Sequence, residues 1–319
     1  MIALSAARRV FVLTLSVGVV AALVAAASGP GAALAASVAT PSASPAAGSG
    51  SSTAHHLTWE GTDRLYRLYV PAHIATPAPL VVMLHGGFGS AGQAERAYGW
   101  DALADEQGFV VAYPDGNGKA WNAGSCCGRS SVTGVDDVAF IEAMVREIEA
   151  TRSIDASRIY AAGMSNGAMM AYRLACESTM FAAVAPVAGT MMVDCEDPSP
   201  VSIIHIHGLA DRNVPFDGSR GEGVAQVDGP AVEQVIAFWR QVDGCTAPNE
   251  STDGDVTTSI ARCSGGRTIE LITIAGAGHQ WPRTAVSPSF AAKRGANAPY
   301  QGLDATRTIW DFFVAHPKP

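Results

Sequence analysis

The chain has 319 residues with 21 basic and 29 acidic side chains, a net charge of −8. A length of this order suits one large α/β domain or two small ones. The acidic balance excludes nucleic acid and anionic membrane as expected partners, because both are held through clustered Lys and Arg.

Residues 1–36 open with Arg8 and Arg9, continue with an uncharged apolar run from Val10 to Ala27, and end in the small residues Ala33-Leu34-Ala35. This is the layout of an export signal, cleaved near Ala35 or Ala36. The rival is an uncleaved anchor, since an apolar run of this length is the lower edge of a spanning helix. Sec and Tat export both stay open: Arg8-Arg9 suits a twin-arginine signal, but Ala7 stands where Ser or Thr is usual. Cleavage removes two arginines and no acid, leaving 19 basic against 29 acidic residues, a net charge of −10, and no stable membrane anchor. Ser37 to Ala54 is nearly all Ser, Ala, Thr, Pro and Gly, and is expected to be a disordered linker. A single catalytic domain is then expected over residues 55–319.

Leu57–Val70 reads as a hairpin around Glu60-Gly61-Thr62-Asp63. Short apolar runs follow at Pro79–Leu84, Phe109–Tyr113, Arg158–Ala162, Ala182–Val187, Val201–His207 and Thr268–Ile274, alternating with helical patterns. Val138, Ile141, Val145 and Ile148 form one apolar stripe, with Asp136 and Asp137 at its N-terminal end. Val232–Gln241 and Asp304–Ala315 are further helices. The alternation predicts a mostly parallel sheet with helices on both faces.

Gly163-Met164-Ser165-Asn166-Gly167 is a G-x-S-x-G between the Arg158–Ala162 strand and a helical stretch, Ala168–Cys176. That context is the strand–turn–helix of a nucleophile elbow, whose glycines are required because a Cβ would crowd the tight turn. An elbow serine needs a base and a group that orients the base, in the chain order Ser, Asp, His. Asp211 ends His205-Ile206-His207-Gly208-Leu209-Ala210-Asp211 directly after a strand, where it is favoured over Asp194 and Asp217. His279 follows the last strand through Ala275-Gly276-Ala277-Gly278; His55 and His56 precede the core, and His316 is expected to be exposed. His85-Gly86-Gly87-Phe88 ends an early strand and matches a loop that gives one oxyanion N–H, from Gly87, with Asn166 giving the other.

His205 and His207 form an H-x-H that puts both rings on one strand face, a pattern that can bind zinc, but no further ligands accompany it, so both are read as packed strand residues. No metal or other cofactor is expected. Six cysteines in an exported chain point to disulfides. Cys245 and Cys263 flank a turn-rich excursion and are read as one pair. Cys176 and Cys195 are a candidate second, while Cys126 and Cys127 either bridge each other or pair elsewhere. Trp121, Trp281 and Phe88 are candidates for the wall of an apolar acyl pocket, with core packing the alternative for each indole.

Taken together, Leu84-His85-Gly86-Gly87, Trp121-Asn122-Ala123-Gly124-Ser125-Cys126-Cys127-Gly128, Asp136-Asp137-Val138, the elbow, His205–Asp211 and Gly278-His279-Gln280-Trp281-Pro282 resemble the secreted polyhydroxybutyrate depolymerases and feruloyl or acetylxylan esterases, including the LpqC-like type. The resemblance runs from about Thr58 to Phe313 and implies the α/β-hydrolase fold. It also implies a Ser165–His279–Asp211 triad, with oxyanion donors at Gly87 and Asn166. Two departures stand out: there is no lipobox cysteine after the signal, and Pro282-Arg283 stands where many relatives carry Pro-Gly. No binding module follows the terminal helix, which favours soluble esters or short oligomers over crystalline polymer. A serine peptidase of the same fold, a non-catalytic polymer-binding protein and a zinc hydrolase are the alternative functions.

Overall fold

The computed structural model describes residues 49–284 and 299–319. They fall within one compact unit, Ala46–Pro319. The expected signal sequence and residues 37–48 of the expected linker lie outside the described residues.

Ten strands form one sheet: β1 (Ser51–Trp59), β2 (Thr62–Val70), β3 (Ala78–Leu84), β4 (Val110–Pro114), β5 (Ile154–Met164), β6 (Ala183–Val187), β7 (Ser202–Gly208), β8 (Asn249–Asp253), β9 (Val256–Arg262) and β10 (Thr268–Ile274). Their order across the sheet is β1-β2-β4-β3-β5-β6-β7-β10-β9-β8. The six from β4 to β10 run parallel, flanked by antiparallel pairs at both ends. Every residue of β3, β4, β6 and β7 is buried. That burial follows from helices covering both faces of a parallel sheet, and it explains their continuous apolar runs.

The helices are α1 (Ala91–Ala97), α2 (Trp100–Gln107), α3 (Gly128–Thr133), α4 (Asp137–Thr151), α5 (Asn166–Glu177), α6 (Val232–Val242) and α7 (Ala305–Ala315). Alternate strand residues feed two separate cores. Leu80, Val82 and Leu84 pack with Phe140, Ile141 and Met170 of α4 and α5. Val81 and Met83 pack with Trp100, Trp310 and Phe313 of α2 and α7. α4 starts where its charges predict: Asp136 caps it by accepting from Ala139 N at 3.0 Å, and buried Asp137 pairs with Arg64 at 2.7 Å.

One expectation is corrected and two are sharpened. Ser51–Ala54 is not linker but the start of β1, paired in register with Arg67–Val70. A composition with no apolar side chain to bury is ordered here by backbone hydrogen bonds to its partner strand. The excursion between Cys245 and Cys263 is the β8–β9 hairpin, which continues the sheet from β10, with a disulfide at its base. His55 and His56 sit within β1, stacked on Tyr66 and paired with Asp63 respectively.

The order β4-β3-β5 marks the point where the chain reverses its direction of travel across the sheet. Ligand crevices of open α/β sheets form outside the carboxyl ends of strands at such a point. β3 ends in His85-Gly86-Gly87 and β5 ends in Ser165, one on each side of it.

Candidate active site

Ser165 follows β5 directly and adopts φ 58° and ψ −119°, a conformation that a side-chain-bearing residue holds only under constraint. The constraint is visible on both sides. Ser165 N donates to Val187 O of β6 at 2.9 Å, and α5 begins at the next residue. A Cβ on Gly163 would overlap Gly167 O, and a Cβ on Gly167 would overlap Leu84 O, so the two elbow glycines let β5, α5 and β3 meet.

The three side chains expected to act together are in hydrogen-bond contact. His279 Nε2 lies 2.8 Å from Ser165 Oγ, and His279 Nδ1 lies 2.7 Å from Asp211 Oδ2. Asp211 is buried and accepts from Asn213 N at 2.8 Å and Val214 N at 2.9 Å through its other oxygen. Burial opposes its ionisation. The hydrogen bond from His279, the neighbouring imidazoles and the Val214 amide outweigh burial and hold its carboxyl below the usual range. An ionised carboxylate only accepts, so Nδ1 of His279 carries the proton and Nε2 is left to accept from the serine hydroxyl. Asp194 and Asp217 are elsewhere: Asp217 is exposed and bonded to Ser219, and Asp194 lines a flank crevice of about 350 Å³ with Met191, Met192 and Phe238.

Gly208 is a residue that sequence reasoning passed over. A Cβ there would overlap Ala277 O, so its absence lets the His279 loop close on the Asp211 loop. Leu209 N and Ala210 N then donate to Ile274 O and Ala277 O at 3.0 and 2.9 Å. The available signal was a glycine directly after a strand, three residues before the acid. Arg283, at the position where the resemblance leads one to expect glycine, keeps a glycine-like φ of 58° and donates its N–H to Tyr300 O at 2.7 Å.

On the other side of Ser165, the β3 loop is pinned by His85. Its Nδ1 lies 2.8 Å from Gly86 O and its Nε2 accepts from Gly116 N at 2.9 Å, which fixes the neutral Nδ1–H form. Burial also lowers the His85 pKa below its ordinary value. Phe88 N is engaged by Lys119 O at 2.8 Å, and Gly87 faces Asn166, where an added Cβ would come within 3.9 Å of Asn166 Cβ. The Asn166 side chain is spent on Trp121, accepting from its N–H at 2.7 Å and donating to its carbonyl at 3.1 Å. Its backbone N–H, the first of α5, has no acceptor within the helix.

Trp121 and Trp281 are corrected from pocket wall to core. They are 0% and 2% exposed, and their indole N–H groups donate to His85 O and Thr306 Oγ1. Phe88, by contrast, is 66% exposed. His316 is half-buried rather than exposed, with Nε2 2.8 Å from Thr268 Oγ1. Cys126 and Cys127 bridge each other, and Cys176 bonds to Cys195. Every ring nitrogen of His205 and His207 is engaged by a protein group. Among the described residues, no group of three or more His, Cys, Asp or Glu side chains is arranged to hold a metal.

The sequence profile of the family described as Esterase PHB depolymerase matches residues 64–240, more than half of the chain. The chain belongs to that family. Relatives in sequence agree with this placement. A Nocardia uniformis subsp. tsuyamanensis protein described as an esterase, NocK, is 34% identical over 259 residues, 73% of this chain and 74% of its own. Feruloyl esterase B of Piromyces equi is 33% identical over 63% of this chain, which spans only 39% of that enzyme. A protein described as feruloyl esterase C of Aspergillus clavatus is 30% identical over 68% of each chain. Among solved structures, an acetyl xylan esterase from Aspergillus awamori superposes with a TM-score of 0.59 over 82% of this chain and 99% of its own. At 18% identity that likeness speaks for the fold alone. As a member of the PHB depolymerase esterase family, the chain is a carboxylic ester hydrolase of the α/β-hydrolase superfamily.

Proposed function

We propose that this esterase hydrolyses polyhydroxyalkanoate oligomers or the feruloyl and acetyl esters of plant polysaccharide, by acyl transfer through Ser165. The observation that carries the proposal is the unbroken contact from Ser165 Oγ through His279 to Asp211, at 2.8 and 2.7 Å. His279 Nε2 takes the hydroxyl proton as Oγ bonds to the ester carbonyl carbon, and the carbonyl electrons move onto oxygen. The backbone N–H groups of Gly87 and Asn166 receive that charge. As the tetrahedral intermediate collapses, His279 returns the proton to the departing alcohol, and the acyl group stays on Ser165. Water, deprotonated by the same nitrogen, repeats the sequence and releases the acid. Asp211 holds the imidazole in the required tautomer and stabilises its charged form without itself taking the proton.

Exposed Phe88, next to Gly87, is the remaining candidate for contact with the acyl group. The protein acts outside the cell after removal of residues 1–36, a reading supported by its three disulfides, and N-terminal sequencing of material from the culture medium checks it.

A fluorophosphonate probe is expected to label the parent enzyme and not Ser165→Ala, whose ester turnover falls by about 10⁴-fold or more. Equal labelling of the two removes Ser165 from the mechanism. A panel of short aryl esters, methyl ferulate, acetylated xylan and amorphous polyhydroxybutyrate identifies the ester, with kcat/KM highest on one of the last three.

A further inference from the structure

Behind the triad, a phenol and two imidazoles form a buried chain that ester hydrolysis does not by itself require. Tyr172 stands on α5, the helix that starts beside Ser165, and His205 and His207 share one face of β7; all three are at most 1% exposed. The two imidazole rings stack 5.2 Å apart and 8° from parallel. Tyr172 Oη lies 2.7 Å from His205 Nδ1, His205 Nε2 lies 2.9 Å from His207 Nδ1, and His207 Nε2 lies 2.8 Å from Val214 O.

The last contact sets the direction of the others. A carbonyl only accepts, so His207 Nε2 carries a proton. The neutral ring then offers Nδ1 as acceptor, so His205 Nε2 must donate, and His205 Nδ1 accepts from the Tyr172 hydroxyl. The groups facing His207 are Asp211 and the Val214 carbonyl, which favour a charged ring, and His279, which opposes one; His205, stacked on it, is itself held neutral in part by His207. Burial is the largest influence on both buried imidazoles and keeps them neutral at ordinary pH.

The chain ends on the catalytic acid. Val214, whose carbonyl receives the His207 proton, gives its own N–H to Asp211 Oδ1 at 2.9 Å, and His207 Nε2 stands 3.7 Å from Asp211 Oδ2. We infer that His207 is a positioning residue for the acid: its Nε2–H tautomer, set by the Val214 carbonyl and wired through His205 to Tyr172, holds the Asp211–Val214 turn so that the carboxylate meets His279. The inference rests on the triad reading above.

Long-range proton–nitrogen correlation spectra of enzyme with 15N-labelled histidines read the wiring directly. Both buried rings are expected as neutral Nε2–H tautomers at about pH 7, and to stay neutral to lower pH than an unperturbed histidine does. An Nδ1–H or charged His207 overturns the inference. His207→Leu is expected to lower kcat about 10²-fold with KM within about twofold, because a displaced carboxylate no longer orients the base. It also weakens the downfield Nδ1–H resonance of His279. His207→Gln, whose amide can donate to Val214 O and accept from His205, restores most of both. Equal loss in the two variants, or an unchanged His279 resonance in His207→Leu, assigns His207 to packing alone.

Tyr172→Phe removes one hydroxyl and serves even where His207→Leu fails to fold. It is expected to shift the His205 Nδ1 resonance and to lower kcat about threefold to tenfold, and no change in either overturns the wiring. Failure of the triad reading is seen separately, as fluorophosphonate labelling that persists in Ser165→Ala.

Discussion

On the β3 side of Ser165, His85 is held by two backbone groups, Gly86 O and Gly116 N, while on the β7 side His207 ends a row of three side chains. Each ring is buried, neutral and confined to one tautomer, and each fixes a loop that carries a proposed catalytic group. The difference lies in what writes the arrangement. The β3 loop depends on the His85 ring, on the Trp121 indole that donates to His85 O, and otherwise on main-chain atoms that any sequence would supply. The Asp211 turn depends on three side chains drawn from a helix and a strand, so it can be disturbed from three positions that touch no substrate. The proposed acyl transfer would ask different things of the two flanks: one would present amide dipoles, and the other would hold a carboxylate and an imidazole in register while a proton moves.

Substitutions grade the comparison. The largest effect is expected at the acid itself: Asp211→Asn forces the wrong tautomer on His279 and lowers kcat about 10⁴-fold, with KM little changed in steady-state assays. A KM effect of similar size would mean that the turn shapes the substrate site rather than the base. On the opposite flank, Asn166→Ala leaves the backbone N–H in place but strips two hydrogen bonds from buried Trp121. It is expected to reduce kcat about 10- to 100-fold and to cost about 1–3 kcal/mol in denaturant unfolding. Loss of stability with full activity would uncouple the Trp121 loop from the proposed oxyanion site.

The smallest effect is expected outside both flanks. Burial pushes the Asp101 carboxyl up to about 6, against the hydrogen bond from Tyr113. A raised folded value means that the native state binds the proton more tightly than the unfolded chain. The stabilisation is therefore complete below the ordinary carboxylate range and is lost as pH rises through about 6. Asp101→Asn should match the parent near pH 4 and exceed it by about 1 kcal/mol at pH 8, after discounting for partial exposure. Its kcat should equal the parent's at both pH values; a change would extend the sensitive region beyond the two flanks.

Much of the site was legible because its signals are local. A strand–turn–helix around Ser165, a strand-end acid and a glycine-rich loop before His279 are each written within a few residues. The central strands were legible for a similar reason, their apolar runs being continuous. What escaped was set by distant partners. Nothing near Trp121 or Trp281 tells an indole at a pocket mouth from one sealed against His85 or Thr306. The β8 sequence Asn-Glu-Ser-Thr-Asp has no apolar alternation to announce a strand, and β1 begins in residues that read as linker. α1 and α2, seven and eight residues long, are too short for a periodic stripe. The tautomers of His205 and His207 depend on a carbonyl beyond the strand, so the H-x-H pattern alone could say only that the rings share a face.

The β8 strand also bears on how this enzyme behaves when concentrated. Among the described residues it is the last strand of its end of the sheet, and nothing among them pairs with its outer row of amides and carbonyls, the kind of edge that can pair with another chain. All five of its residues are exposed, and Glu250 and Asp253 place negative charge on that rim. A second copy approaching edge to edge would bring like charges together before any backbone hydrogen bond could form. The same polar sequence that hid the strand from prediction thus opposes edge-to-edge pairing at this end of the sheet.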